Sequence, residues 1–217
     1  AICPRVRLLI CRTRAHQRAR LRDVDADTRV WTLPDLKERL CAWAALKDGV
    51  ARDALGARLL AAAVLAQAGA DAGGGLLPRL APGLDALRQE LVHARTSAKA
   101  VLDAVTGDVD DDGQNDQGRP AEVRQLLERV RGVEQALTQH NVVDDALALE
   151  RARAWLALGV CPGFLRGVDR VVGEDPVDAS ALDVAVFAAR SRHGPVTLRV
   201  PVDDQPGRAP VSGVDVV

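Results

Sequence analysis

Between positions 108 and 116 the chain reads Asp108-Val109-Asp110-Asp111-Asp112-Gly113-Gln114-Asn115-Asp116. Side-chain oxygens at alternate positions can wrap a hard cation, and a glycine among them permits the sharp turn that wrapping requires. Three smaller groupings also invite a chemical reading. His93 lies in Leu91-Val92-His93-Ala94-Arg95, a helical stretch, where an exposed imidazole can accept a phosphoryl group. His140 and Asp144 are four apart, which a continuous helix would put on one face as a metal pair or a proton-sharing pair. Cys3, Cys11 and His16 offer soft ligands, but they lack a fourth partner and the spacing of a zinc site.

The acidic stretch resembles the calcium loops of EF-hand and dockerin proteins over about nine residues. That resemblance implies Asp108, Asp110 and Asp112 as side-chain ligands, Gln114 as a backbone ligand and Asp116 as a ligand through water. It departs at the twelfth position, where an acid is needed and Arg119 stands; Glu122 comes three residues later. A cation there repels calcium. The alternative is a solvated acidic linker. Calcium is the one cofactor the residues suggest.

Other chemistry leaves no trace. There is no GxSxG, HExxH or GxxxxGK[ST] pattern. Gly73–Gly75 run into Leu76, Leu77 and Pro78 with no lysine for a phosphate. The chain therefore leans away from an enzyme.

The elements that must position these groups are mostly helical in pattern. Pro34, with Asp35 and Glu38, suits a helix start, and Leu36, Leu40 and Trp43 follow at helical spacing. A second helix is expected over residues 51–67. Leu80, Leu84, Leu87, Leu91, Ala94, Ala98, Val101 and Val105 step by four and three, a heptad stripe that predicts one long rod and a coiled-coil seam. Pro120 opens a further helix with Val123, Leu127, Val130, Val133 and Leu137 on one face. Val142, Ala146, Leu149, Ala152 and Leu156 continue the pattern until Gly159, Pro162 and Gly163 stop it. Beyond them, the apolar run 181–189 and the alternation Val196, Leu198, Val200, Val202 predict a β-hairpin around His193-Gly194-Pro195.

The expected fold is thus mainly α: antiparallel helical hairpins or a bundle, with a small C-terminal β-hairpin and loose termini. The expected divisions are a basic, disordered segment 1–32, a helical region 33–160 containing the acidic linker 106–119, and an irregular or hairpin region 161–217. Residues 1–22 carry seven arginines and no acid, the composition of a transit-like peptide or a phosphate-binding arm as well as of a disordered end. Ala1 as first residue reads as a fragment or a processed chain.

Composition sets outer bounds. The 217 residues include no methionine or tyrosine, two phenylalanines, and 26 arginines against three lysines. Those are the preferences of GC-rich codons. They fit either a protein of a GC-rich genome or a translation of a non-coding frame of a GC-rich gene, which would have no function. A net charge of −1 gives no overall pull toward nucleic acid. No apolar run reaches the roughly 20 residues a membrane span needs. Scattered cysteines suit a reducing, cytoplasmic setting by default. The functional expectation is a helical protein–protein interaction or scaffold module, with a partner or a second copy pressing on the Leu80–Val105 seam.

Overall fold

A computed structural model describes residues 6–71, 80–107, 118–174, 179–199 and 214–216. It divides into two compact units. One joins residues 1–48 to 148–217, and the other spans Gly49–Leu147.

The first unit is α/β. Its elements are β1 (Val6–Cys11), α1 (Arg14–Arg20), β2 (Thr28–Thr32), α2 (Leu33–Asp48), most of α7 (Asp145–Ala157), β3 (Val168–Glu174), α8 (Ala181–Arg190), β4 (Val196–Arg199) and the short β5 (Val214–Val216). The strands form one sheet in the order β2-β1-β3-β4-β5, with every pairing parallel. Parallel neighbours need crossovers, and α1 and α8 supply the first and the last described ones.

This corrects the mainly α reading, and with it the helical-bundle and coiled-coil descriptions. Residues 6–32, expected to be disordered, are β1, α1 and β2. A strand buried in a parallel sheet is apolar on both faces, so Val6-Arg7-Leu8-Leu9-Ile10-Cys11 lacks the two-residue alternation that announces a half-exposed strand. Leu8, Ile10 and Cys11 are buried.

The expected C-terminal hairpin is also absent among the described residues. Ala181–Arg190 is helix, and Val196–Arg199 pairs in parallel with Val171–Glu174. The helix start was written in Ser180 and Asp183. The Ser180 hydroxyl accepts from the Asp183 N–H, and the Asp183 carboxylate accepts from the Ser180 N–H, a reciprocal cap. Gly194, at φ +146°, turns the chain from α8 into β4. A Cβ there would stand 2.7 Å from the Asp169 carbonyl oxygen.

The second unit contains α3 (Ala54–Asp71), α4 (Ala81–His93), α5 (Ala98–Gly107) and α6 (Gly118–Gln139). Ala57, Ala61, Leu65, Leu84, Val130 and Val133 are among its core residues. The stripe from Leu80 to Val105 is two helices, not one rod. Arg95 takes a left-handed φ of 56°, the Thr96 N–H donates to Leu91, and Ser97 caps α5 by accepting from the Ala100 N–H. Leu84 and Ala98 nevertheless enter the same core, with Leu87, Leu91 and Val101 packed against it, so those seam positions are used within the unit. Leu80 stays exposed.

That core also holds a charge cluster. Arg88, 0% exposed, pairs with Asp85 and Asp144, and its Nη1 has no partner. No helix among the described residues is long and apolar enough to cross a membrane.

In the α/β unit, Asp48 closes the base of the excursion into the helical unit. Its carboxylate accepts from Trp155 Nε1 at 2.8 Å and from Arg151 at 3.1 Å. The end of α2 is thereby fixed to α7, where the chain returns.

Candidate functional site at the carboxyl ends of β1 and β3

In the order β2-β1-β3-β4-β5, the chain winds one way from β1 and the other way from β3. Open parallel sheets of this kind bind ligands at such a reversal, in the crevice beyond the strand carboxyl ends. Cys11 ends β1 and Glu174 ends β3. A cavity of about 240 Å³ opens there, lined in part by Cys11, Arg12, Lys37, Gly173, Glu174 and Phe187.

Local sequence explains how each group arrives. Thr13 leaves β1 in extended conformation and caps α1, its hydroxyl accepting from the His16 N–H at 3.2 Å. His16 and Arg20 are then four apart and share one face. Both reach Glu174, which is 8% exposed. Arg20 Nε donates to Oε2 at 2.9 Å and Nη2 to Oε1 at 2.8 Å. His16 Nε2 stands 3.2 Å from Oε2, and Arg20 Nε also lies 3.3 Å from that nitrogen. Arg199, from the end of β4, approaches Oε1 at 3.5 Å. Cys11, His16 and Glu174 offer a sulfur, a nitrogen and an oxygen, all within 4.8 Å of one another. Burial pushes the Cys11 thiol up, Glu174 adds to that, and Arg20 opposes it.

The other side of the crevice is built by α2 and α8. Lys37 pairs with Asp183, Nζ lying 3.0 Å from Oδ1 and 3.1 Å from Oδ2. Thr32 and Asp35 close the start of α2 reciprocally, as Ser180 and Asp183 close α8. The Thr32 hydrogen bonds hold the Asp35 carboxyl below its ordinary value. The first turns of α1, α2 and α8 thus each give one amide to their own capping side chain.

Of the sequence-predicted sites, Asp108, Asp110, Asp112, Gln114 and Asp116 lie outside the described residues, as does Cys3. The expected continuous helix through His140 and Asp144 is not formed. α6 ends at Gln139, Asn141 takes a left-handed φ of 52°, and Asp144 caps α7 by accepting from the Leu147 N–H while it pairs with Arg88. His93 sits in the last turn of α4. Cys11 and His16 do come together. Their missing partner is Glu174, which sequence spacing could not supply because only the pairing of β1 with β3 brings it near.

No protein-family model matches the chain, and no curated protein matches it significantly.

Proposed function

We propose that the α/β unit is a ligand-binding domain that takes a small anionic molecule into the crevice at the carboxyl ends of β1 and β3. The observation that carries this reading is the coincidence of the cavity with the reversal point of the sheet. Basic side chains at the crevice favour an anion: Arg12 and Lys37 line the cavity, Lys37 being paired with Asp183, and Glu174, the acid of the lining, is forked by Arg20 with Arg199 beside it. The size of the space suits a small metabolite rather than a drug-sized ligand. The β1–α1 turn is Arg12-Thr13, with no glycine to bring backbone amides against a pyrophosphate, so a dinucleotide is disfavoured.

Titration with inorganic phosphate, pyrophosphate and short dicarboxylates, followed by amide chemical shifts, tests the reading. The expected result is saturable shifts around Cys11, Lys37 and Phe187 that Lys37→Ala weakens and Lys37→Arg retains. Absence of saturation at millimolar ligand, or indifference to Lys37→Ala, overturns it.

A second reading, protein binding by the helical unit, draws support from Leu55 and Leu59. They are 67% and 62% exposed and one turn apart on α3. Sedimentation of the chain and of its Leu55→Glu, Leu59→Glu variant tests self-association. A mass that rises with concentration only in the parent supports it, and a monomer throughout removes it.

Both readings treat the chain as a selected protein, not a wrong-frame translation. The reciprocal caps at Thr32–Asp35 and Ser180–Asp183 favour that treatment, as do glycines at the left-handed positions 49, 159, 167 and 194.

A further inference from the structure

We propose that Cys11, His16 and Glu174 bind a divalent transition metal of the zinc type, with Arg20 as the resident cation that the metal displaces. This goes beyond the anion reading and does not depend on it, because it rests on the donor set and its geometry.

The three donor atoms lie within 4.8 Å of one another and come from two strand ends and the first turn of a helix. Zinc bonds of about 2.0–2.1 Å to nitrogen and oxygen imply a tetrahedral edge of roughly 3.3 Å. The His16 Nε2 to Glu174 Oε2 separation is 3.2 Å. That edge is already set, and Cys11 Sγ, no more than 4.8 Å from either atom, supplies the third corner of the face.

The proton inventory points the same way. Arg20 Nε carries one hydrogen and lies 2.9 Å from Glu174 Oε2 and 3.3 Å from His16 Nε2. The imidazole nitrogen and the carboxylate oxygen thus converge on one cationic N–H. A metal ion would take the same notch between them. Monodentate binding through Oε2 leaves Oε1 to Arg199, which approaches it from the end of β4 and can orient the ligating carboxylate.

The donor types select the metal. A thiolate with an imidazole disfavours magnesium and calcium, which take oxygen ligands, and suits zinc or cobalt. On binding, the Cys11 S–H bond breaks, its proton passes to water and the sulfur pair forms the metal bond. Three protein ligands leave one tetrahedral position open toward the crevice, where water or an exogenous ligand can enter. Displacing a guanidinium and a thiol proton costs affinity, so binding is expected in the micromolar range.

The experiment titrates the full, reduced chain with Co²⁺ and follows absorbance, then competes the cobalt off with Zn²⁺. One equivalent of tetrahedral cobalt with a thiolate charge-transfer band is expected. His16→Ala, at a partly exposed position and with every thiol retained, should weaken binding more than about tenfold. Arg20→Gln should tighten it, an effect that a purely structural role for Arg20 would not produce. No thiolate band, a band indifferent to His16→Ala, or weaker binding in Arg20→Gln each overturns the proposal. The phosphate titration of the metal-free chain is read through Lys37→Ala, so the two readings fail separately.

Discussion

Arg20 and Glu174 stand 154 positions apart in the sequence and meet in a fork, two nitrogens on two oxygens at 2.9 and 2.8 Å. The two sides of the fork are unequal. Glu174 is buried and Arg20 is substantially exposed. Removing the arginine leaves a buried carboxylate with only His16 and the exposed Arg199 beside it, whereas removing the carboxylate returns the arginine to water. Arg20→Ala should therefore cost about 1–3 kcal/mol of stability and Glu174→Gln less than about 1 kcal/mol. Urea unfolding of both variants checks the order. A larger loss in Glu174→Gln would contradict it.

A harsher asymmetry is expected at Arg88, which has no exposure at all and sits between Asp85 and Asp144. Arg88→Met leaves two buried acids without their cation and should cost about 3–5 kcal/mol. Adding Asp85→Leu and Asp144→Asn to that variant should recover most of the loss, since the amide side chain introduced at position 144 retains an oxygen for the Leu147 N–H. Thermal melts of parent, single and triple variants measure this. A triple variant as unstable as the single one would show that the cluster contributes more than charge balance.

Glu134 gives the helical unit a pH dependence. Burial raises its carboxyl above the ordinary 4.5, against the lowering effect of Arg88 and Arg131. The folded chain then holds this proton more tightly than the unfolded chain, so stability falls as pH rises from about the ordinary value through the raised folded one. Glu134→Gln should be the more stable protein at pH 7 and equal to the parent where the carboxyl is protonated in both states. Denaturation curves at the two ends of that window decide it, and equal stability at pH 7 would refute the burial argument.

Gly173 lies in β3 opposite Leu198 of β4. A Cβ at Gly173 would come within 2.7 Å of the Leu198 Cδ2, and Leu198 is itself buried. Gly173→Ala should cost about 1–3 kcal/mol through overpacking. Trimming the obstacle with Leu198→Val should make the second substitution less costly in the alanine background than in the parent. Additive effects in the double-mutant cycle would exclude the contact as the cause.

The helical stretches were the legible part of the sequence. Leu36, Leu40, Val130, Val133 and Leu137 all face cores, and Pro34 with Asp35 does open α2. The sheet was hidden for a physical reason. Strands β1 and β3 lie inside the sheet, and the runs Leu8-Leu9-Ile10-Cys11 and Val171-Val172 carry no two-residue rhythm, while Arg7 and the exposed Asp169 and Arg170 interrupt the apolar pattern. α8 was misread because a nine-residue run, apolar but for Asp183, carries no decisive period, although Ser180 and Asp183 marked its start. The break in the Leu80 stripe fell on Arg95, where a residue other than glycine adopts the left-handed turn, so composition held no stop signal. The candidate site was half legible. Cys3, Cys11 and His16 stood together in the sequence but without the spacing of a zinc site, and Glu174 is joined to Cys11 and His16 by sheet pairing alone, where no local rule reaches.

Because residues 49–147 interrupt the α/β unit between α2 and α7, that unit is synthesised in two instalments. At ribosomal rates of about 5–20 residues per second, β1 and β2 emerge several seconds before β3 exists. During that interval one edge of β1 has no neighbour, a bare strand template of the kind chaperones shield. The intervening helices are contiguous and can condense on their own as they emerge. Nascent-chain complexes halted just after Leu147 should therefore yield protease-resistant helices and a protease-sensitive amino-terminal segment, while release of the full polypeptide protects both.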